Sequence, residues 1–306
     1  MRYGITGNPN KEQIWEPVAD LVSWLMRRDL PFCLHQEVAA GLRERDLVGE
    51  AVCSENATGD LAAASDVVLS YGGDGTLLRT AHALGNEGEE EEGGDTPIAG
   101  VNIGRLGFLA DLDTGGVEEA VGQFEDGAYH VEERLVLRAE TRLHGNAAAS
   151  GEAPDLAARW ALNEFVVDRS GATGLLEIEV CANGSPLNTY WADGLIFATP
   201  TGSTAYSLSA GGPLLAPGTE AIILTPIAPH TLTVRPIVLP ADAHIEVHVR
   251  RKGEQPYVFA ADGRNNPIDT DGVVFSIERA AHTVNLAKLD GQSYFKTLRS
   301  KLMWGA

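Results

Sequence analysis

Short runs of β-forming residues alternate with helix-spaced apolar positions over the first hundred or so residues of the chain. Arg2 to Thr6 reads as an opening strand, and Gly7-Asn8-Pro9-Asn10 as the turn that ends it. Ile14, Val18, Leu21, Val22 and Leu25 then recur at helical spacing, which predicts an amphipathic helix from about Glu12 to Arg28. Pro31 to His35 reads as the next strand. The compact run Asp66-Val67-Val68-Leu69-Ser70 ends in Gly72-Gly73-Asp74-Gly75, after which Thr76 is placed to cap a helix through His82 or Leu84. A strand at Pro97 to Asn102, a turn at Gly104-Arg105-Leu106-Gly107 and a helix from about Gly115 to Phe124 follow. Strands alternating with helices predict a parallel sheet covered by helices. The glycines then lie at the carboxyl end of a strand, where open α/β sheets bind ligands.

From about His130 the texture changes. Leu176, Ile178 and Val180 are interleaved with Glu177 and Glu179, and Ile245, Val247 and Val249 with Glu246 and His248. That alternation marks antiparallel strands with one wet face. We therefore expect an α/β domain over 1–126, a β-rich domain over 127–285, and a terminal piece over 286–306. In that last piece Phe295, Leu298 and Leu302 are spaced to make a helix that returns to the first domain.

Composition adds three constraints. The net charge is −20, from 43 acidic and 23 basic residues, five of the latter being lysines. Such a surface repels phosphate polymers and excludes a general nucleic-acid binder, although Arg105 or Arg235 is a local basic spot able to hold a small anion. So acidic a chain also points to a protein of a salt-loving organism, a haloarchaeon, and to a need for molar salt. The run Asn86 to Asp95 is too acidic and glycine-rich to fold and reads as a solvated loop. No apolar run approaches the roughly 20 residues that span a bilayer, and the start of the chain lacks a signal-peptide pattern, so a cytoplasmic protein is expected. Cys33, Cys53 and Cys181 are too few and too scattered for a disulfide framework or a zinc site and read as buried thiols. His244 and His248 share a strand face without a third ligand in view, so no metal site is assigned.

Chemistry concentrates at Gly72-Gly73-Asp74-Gly75-Thr76. Glycines let backbone N–H groups approach a phosphate, and the helix that follows adds a favourable dipole. A carboxylate in such a loop repels phosphate unless it accepts a hydrogen bond from a substrate hydroxyl or works through a metal, which suits Asp74 to the base of a kinase-like site. Taken alone the loop is equally a structural turn with Asp74 as its cap. It is neither a Walker A motif nor a dinucleotide fingerprint. Arg79, one turn further, is either a phosphate ligand or a surface residue.

GGDGT resembles the loop shared by NAD kinases, diacylglycerol and sphingosine kinases, and phosphofructokinases. Asn102-Ile103-Gly104-Arg105-Leu106-Gly107-Phe108-Leu109, the pair Asn163-Glu164, and the stretch Asp193 to Pro213 are similar to three further motifs of the NAD kinase family, in that family's order. Ala228-Pro229-His230 and Arg235-Pro236 resemble a later one. Asp262-Gly263-Arg264 stands where many relatives carry Asp-Gly-Gln, so no ligand role passes to Arg264.

The resemblance implies a Rossmann-like, phosphofructokinase-like α/β domain followed by a β-sandwich-like domain, with NAD held between them. It implies transfer of a phosphoryl group to the 2′-hydroxyl of the adenosine ribose of NAD. The donor is ATP, another nucleotide or polyphosphate, and Mg²⁺ bridges its phosphates. A homodimer or homotetramer is expected.

The residues implied are Asp74 as base, Gly72, Gly73 and Gly75 as phosphate loop, and Gly75, Arg79, Asn163, Glu164, Asp193, Thr204, Ala205, Tyr206, Ser207 and Ser209, with Asp74, around NAD. Asn163 suits adenine N6 and N7. The resemblance gives Glu164 the ribose hydroxyls and Asp193 the nicotinamide side, while Tyr206 suits stacking on a base. Two rival readings are a lipid kinase, which does not account for Asp193 to Pro213, and a non-catalytic NAD sensor.

Overall fold

The computed structural model describes residues 1–85, 95–104, 107–144, 153–156, 158–169, 171, 174–251 and 256–303. Arg105 and Leu106 lie outside them, as does nearly all of the acidic loop at 86–95.

The chain divides into two compact units, Met1–Glu133 with Val284–Ala306, and Arg134–Thr283. In the first, β1 (Tyr3–Gly7), β2 (Phe32–His35), β3 (Ala57–Thr58), β4 (Val67–Gly72) and β5 (Ile98–Asn102) form a parallel sheet in the order β3-β2-β1-β4-β5. On β5 also lie β6 (Ala110–Asp113) and, through Leu286 opposite Ile98, the end of a long strand, Val273–Leu289. The order reverses between β1 and β4, and the turn after each of those strands sits at that crevice. β4, Val-Val-Leu-Ser-Tyr-Gly, is buried throughout, as a central parallel strand must be.

The helices follow the predicted stripes. α1 (Trp15–Arg27) buries Val18, Leu21, Val22 and Leu25, after a short 3₁₀ turn at Glu12–Ile14. Three helices escaped prediction: α2 (Gln36–Glu44), α3 (Glu50–Asn56) and α4 (Leu61–Ala64). α5 runs Asp74–Leu84 with Gly73 at its N-cap, so Thr76 is not the cap that was expected but a buried residue of the first turn. α6 spans Val117–Glu125.

In the second unit two antiparallel layers face each other. One has the order β14 (Ile237–Pro240), β13 (Ala221–Ile227), β12 (Gly194–Ala198), β9 (Glu164–Asp168), β16 (Tyr257–Ala261) and β17 (Arg264–Ile268). The other pairs β11 (Ser185–Ala192), β10 (Leu176–Ala182), β15 (Ile245–Arg250) and β18, the strand Val273–Leu289; β7 (Tyr129–Leu143) pairs with β18 and with β8 (Trp160–Ala161). The predicted alternation puts Ile178, Val180, Ile245 and Val247 inside, packed with Phe165, Phe197, Leu224 and Phe259 of the facing layer. Phe259 stacks between Phe165 and Phe275, at centroid distances of 5.2 and 4.1 Å. This is a β-sandwich.

α7 (Tyr206–Ser209) is a single turn, and α8 (Tyr294–Leu302) belongs to the first unit. Of its predicted apolar stripe only Leu298 is buried; Phe295 and Leu302 face outward. Cys33 and Cys53 are buried thiols, their pKa values raised by that burial, and Cys181 is half-buried.

Candidate active site

In the first unit the glycine loop is tied to the segment after β5. Gly72 must be glycine, because a Cβ there meets the Thr76 hydroxyl at 2.1 Å. Its carbonyl accepts the Ile103 N–H at 3.0 Å. At Gly73 and Gly75, apart from the adjoining residues and the helix's own backbone, no described atom lies within 4 Å of where a Cβ would stand, so packing does not demand glycine there. Bare backbone at a helix N-terminus suits the approach of a phosphate.

Asp74 does something its motif did not reveal. Its carboxylate accepts three consecutive backbone N–H groups, from Phe108 at 2.9 Å and from Leu109 and Ala110 at 3.0 and 3.1 Å. Gly107 is the close-approach residue of this clasp, since a Cβ would fall 1.9 Å from Asp74 Oδ1. From below, buried Lys288 donates to the Leu109 carbonyl at 3.2 Å and pairs with Asp111 at 2.8 Å. Lys301 of α8 sits 3.5 Å from Asp74 Oδ2 and 4.4 Å over the Phe108 ring. The GGDG motif and the segment around Gly107 are thus one structure. Asp74 keeps 30% of its side chain exposed, enough to meet a ligand hydroxyl. Arg79 lines a cleft of about 180 Å³ at the carboxyl ends of the strands, with Thr6, Gly7, His35, Thr76 and Thr80.

The second unit holds the other motif residues. Leu162, Asn163 and Glu164 enter β9 with every backbone polar group engaged. Their N–H groups all donate to the Asp262 carboxylate, at 2.8, 2.8 and 3.1 Å. The Leu162 carbonyl accepts the Thr199 hydroxyl at 2.6 Å, the Asn163 carbonyl accepts the Thr199 N–H at 2.9 Å, and the Glu164 carbonyl accepts the Asp262 N–H at 3.1 Å. Gly202 packs so tightly here that a Cβ would lie 2.1 Å from the Asn163 oxygen. The Asn163-Glu164 pair and the Thr199 to Tyr206 loop therefore form a single constellation.

Glu164 is buried, and its Oε2 has no hydrogen-bond partner among the described residues. Burial first, then the charge of Asp262, pushes its pKa from 4.5 up to about 8, against a hydrogen bond from the Tyr206 backbone that lowers it. A carboxyl whose folded pKa is raised gives stability that is whole below its ordinary value and is lost as pH rises through the folded one. Relative to Glu164→Gln, the unliganded protein should lose roughly 2–4 kcal/mol of unfolding free energy between about pH 5 and pH 9. Urea unfolding of both proteins across that range checks this; parallel curves would contradict it.

Tyr206 is 42% exposed, and burial and then the charges of Asp168, Asp193 and Glu164 raise its pKa. Asp193 pairs with Arg169 at 3.1 Å, a partner that the sequence did not suggest. Ser209 is exposed, and Thr204 turns its hydroxyl to the Thr201 carbonyl at 3.1 Å. Ala205 is the half-buried link into α7. Ser207 is wholly buried with its hydroxyl on Thr225 at 2.8 Å, so any ligand contact it makes uses its backbone. Buried Arg134 reaches the Thr201 hydroxyl at 3.5 Å. Arg235 is tied to the carbonyls of Leu232 and Val234 in its own loop. His244 pairs with Glu278 and Ser276, and His248 packs edge-on against His144.

Residues 3–129 match the family model described as the ATP-NAD kinase N-terminal domain, and residues 162–289 the ATP-NAD kinase C-terminal domain. The NAD kinase of Citrifermentans bemidjiense is 37% identical over 286 residues, 94% of this chain and 92% of the relative. The chain belongs to the NAD kinase family. A Bacteroides fragilis NAD kinase is 36% identical over 309 residues, 100% of this chain and 99% of the relative. These relatives are bacterial and lend no support to the haloarchaeal source expected from the charge. Among solved structures the fold matches yeast NADH kinase complexed with NADH, at a TM-score of 0.81 and 22% identity, over 100% of this chain and 88% of the other. It also matches an Archaeoglobus fulgidus NAD kinase in complex with ATP, at 0.71 and 24%, over 99% of each.

Proposed function

We propose that this family member phosphorylates NAD. The ribose 2′-oxygen attacks the terminal phosphorus of the donor, the bond from that phosphorus to the bridging oxygen breaks, the hydroxyl proton leaves, and NADP is formed. The observation that carries the reading is the single constellation built from Asn163, Glu164 and the Thr199 to Tyr206 loop, which offers an amide for adenine, a carboxyl for ribose hydroxyls and an aromatic face for a base. GGDG alone also fits a lipid kinase; this constellation gives the chain a nucleotide acceptor.

We place the donor phosphates against the bare N-terminus of α5, the helix that carries Arg79 in its next turn. Among the described residues no group of three His, Cys, Asp or Glu is placed to hold a metal, and the Asp74 carboxylate already has three N–H donors. When bound, Mg²⁺ would be carried by the donor's phosphates and would neutralise their charge. Asp74 positions the Phe108 to Ala110 backbone and receives the hydroxyl proton. We also propose a cytoplasmic homodimer or homotetramer that depends on molar salt. No helix among the described residues is long and apolar enough to cross a membrane.

Asn163→Ala and Tyr206→Ala should each raise the KM for NAD by about 10-fold or more, with smaller effects on the KM for ATP, because losing one base-reading amide costs about 1–3 kcal/mol. Steady-state kinetics with each substrate varied in turn tests the assignment. Movement of the ATP constant alone would exchange the two nucleotide sites.

A further inference from the structure

We propose that Asp262 is the positioning residue of the acceptor site: it acts without touching the dinucleotide, by holding the Leu162 to Glu164 backbone so that the Asn163 and Glu164 side chains face the adenosine. The proposal rests on the NAD-phosphorylating reading above.

Asp262 and Gly263 form the two-residue turn between β16 and β17, both with left-handed backbone, at φ 46° and 80°. Asp-Gly is a favoured pair for such a hairpin, so the turn by itself explains an Asp or an Asn at this position. It does not explain where the side chain goes. The carboxylate reaches residues 98 to 100 positions earlier in the chain, with Oδ2 on the Leu162 N–H and Oδ1 on those of Asn163 and Glu164.

Three convergent donors need a group that only accepts. Asn keeps the turn but presents an NH₂ to one of the three N–H groups. The same carboxylate acts on Glu164, which also accepts a hydrogen bond from the Tyr206 backbone, and the charges of Asp168, Asp193 and Glu164 act together on the Tyr206 hydroxyl. Asp262 is thus both the brace of the pair and the negative charge that helps Glu164 keep its proton.

The test is Asp262→Asn in the full-length protein, with NADP formation measured while NAD and ATP are varied separately across pH 6 to 9.5. We expect the KM for NAD to rise about 10- to 100-fold, with kcat and the KM for ATP changing by less than about three-fold. In the wild type the KM for NAD should inflect at about pH 8, where Glu164 titrates. That inflection should move to lower pH in Asp262→Asn and vanish in Glu164→Gln. A role confined to the turn, which Asn keeps, would leave both KM values and the inflection as in the wild type, which overturns the proposal. If Asp262→Asn does not fold, Thr199→Val removes the hydroxyl that braces Leu162 from the opposite side and should show the same selective rise, with Thr199→Ser restoring the wild-type constant. Equal rises in both KM values would overturn it as well. A wild type that makes no NADP defeats the reading of function; an active wild type with an unchanged Asp262→Asn defeats this inference alone.

Discussion

Asp74→Asn is expected to lower kcat by about 10²–10⁴-fold, the usual range for general-base assistance. The geometry gives the loss two sources. The first is chemical: the amide cannot take the proton of the ribose hydroxyl. The second is architectural, since one amide face must point an NH₂ at the Phe108, Leu109 or Ala110 N–H groups that the carboxylate now accepts. Amide hydrogen exchange separates them. Faster exchange at 108–110 in the variant reports a loosened loop, whereas unchanged exchange with low kcat assigns the loss to proton transfer. Full activity would make Asp74 a turn residue and nothing more.

Asp74 and Asp262 share one device, a carboxylate that gathers three successive N–H groups of a distant motif, and that device shows which parts of the molecule the sequence disclosed. The glycine loop was legible because its chemistry is local: a buried strand, glycines and a helix start lie within ten residues. The sandwich was legible because alternation such as Leu176 to Val180 is a period-two signal. The clasps were not, because their partners lie about 34 to 100 positions away. The Asp262-Gly263 pair between two alternating stretches is a hairpin signal that was there to be read, although its target was not.

Helix α2 was hidden by a weak stripe, with Val38 and Leu42 the only large apolar side chains in its nine residues, and α4 by its length of four. Its motif placed Ser207 around NAD without saying which of its groups would face a ligand. Only packing reveals Thr225 as its partner.

The second large effect expected is on salt. Acidic residues number 43 against 23 basic ones, and dropping the six carboxylates of the 87–95 stretch still leaves 37. At low ionic strength that like charge repels itself and weakens the compact state. Raising salt shortens the Debye length from about 10 Å at 0.1 M to about 3 Å at 1 M, which removes most of the repulsion and lets anionic NAD and ATP approach an anionic protein. Tm should rise by about 10 °C or more between about 0.1 M and 3 M KCl, and NADP formation should rise with it. A flat curve, or an optimum at the low end, would assign the charge to solubility alone.

The most direct measurement of the central claim is product formation by the purified full-length protein with NAD and Mg²⁺, offering ATP, other nucleoside triphosphates and polyphosphate in turn, at low and at molar KCl. ³¹P NMR of the product identifies which hydroxyl carries the new phosphate. The account predicts NADP, phosphorylated at the 2′-position of the adenosine ribose, with at least one of these donors. No NADP with any donor at any salt concentration, from a protein that is folded and binds NAD, would contradict it and leave a dinucleotide-binding protein without the transfer step.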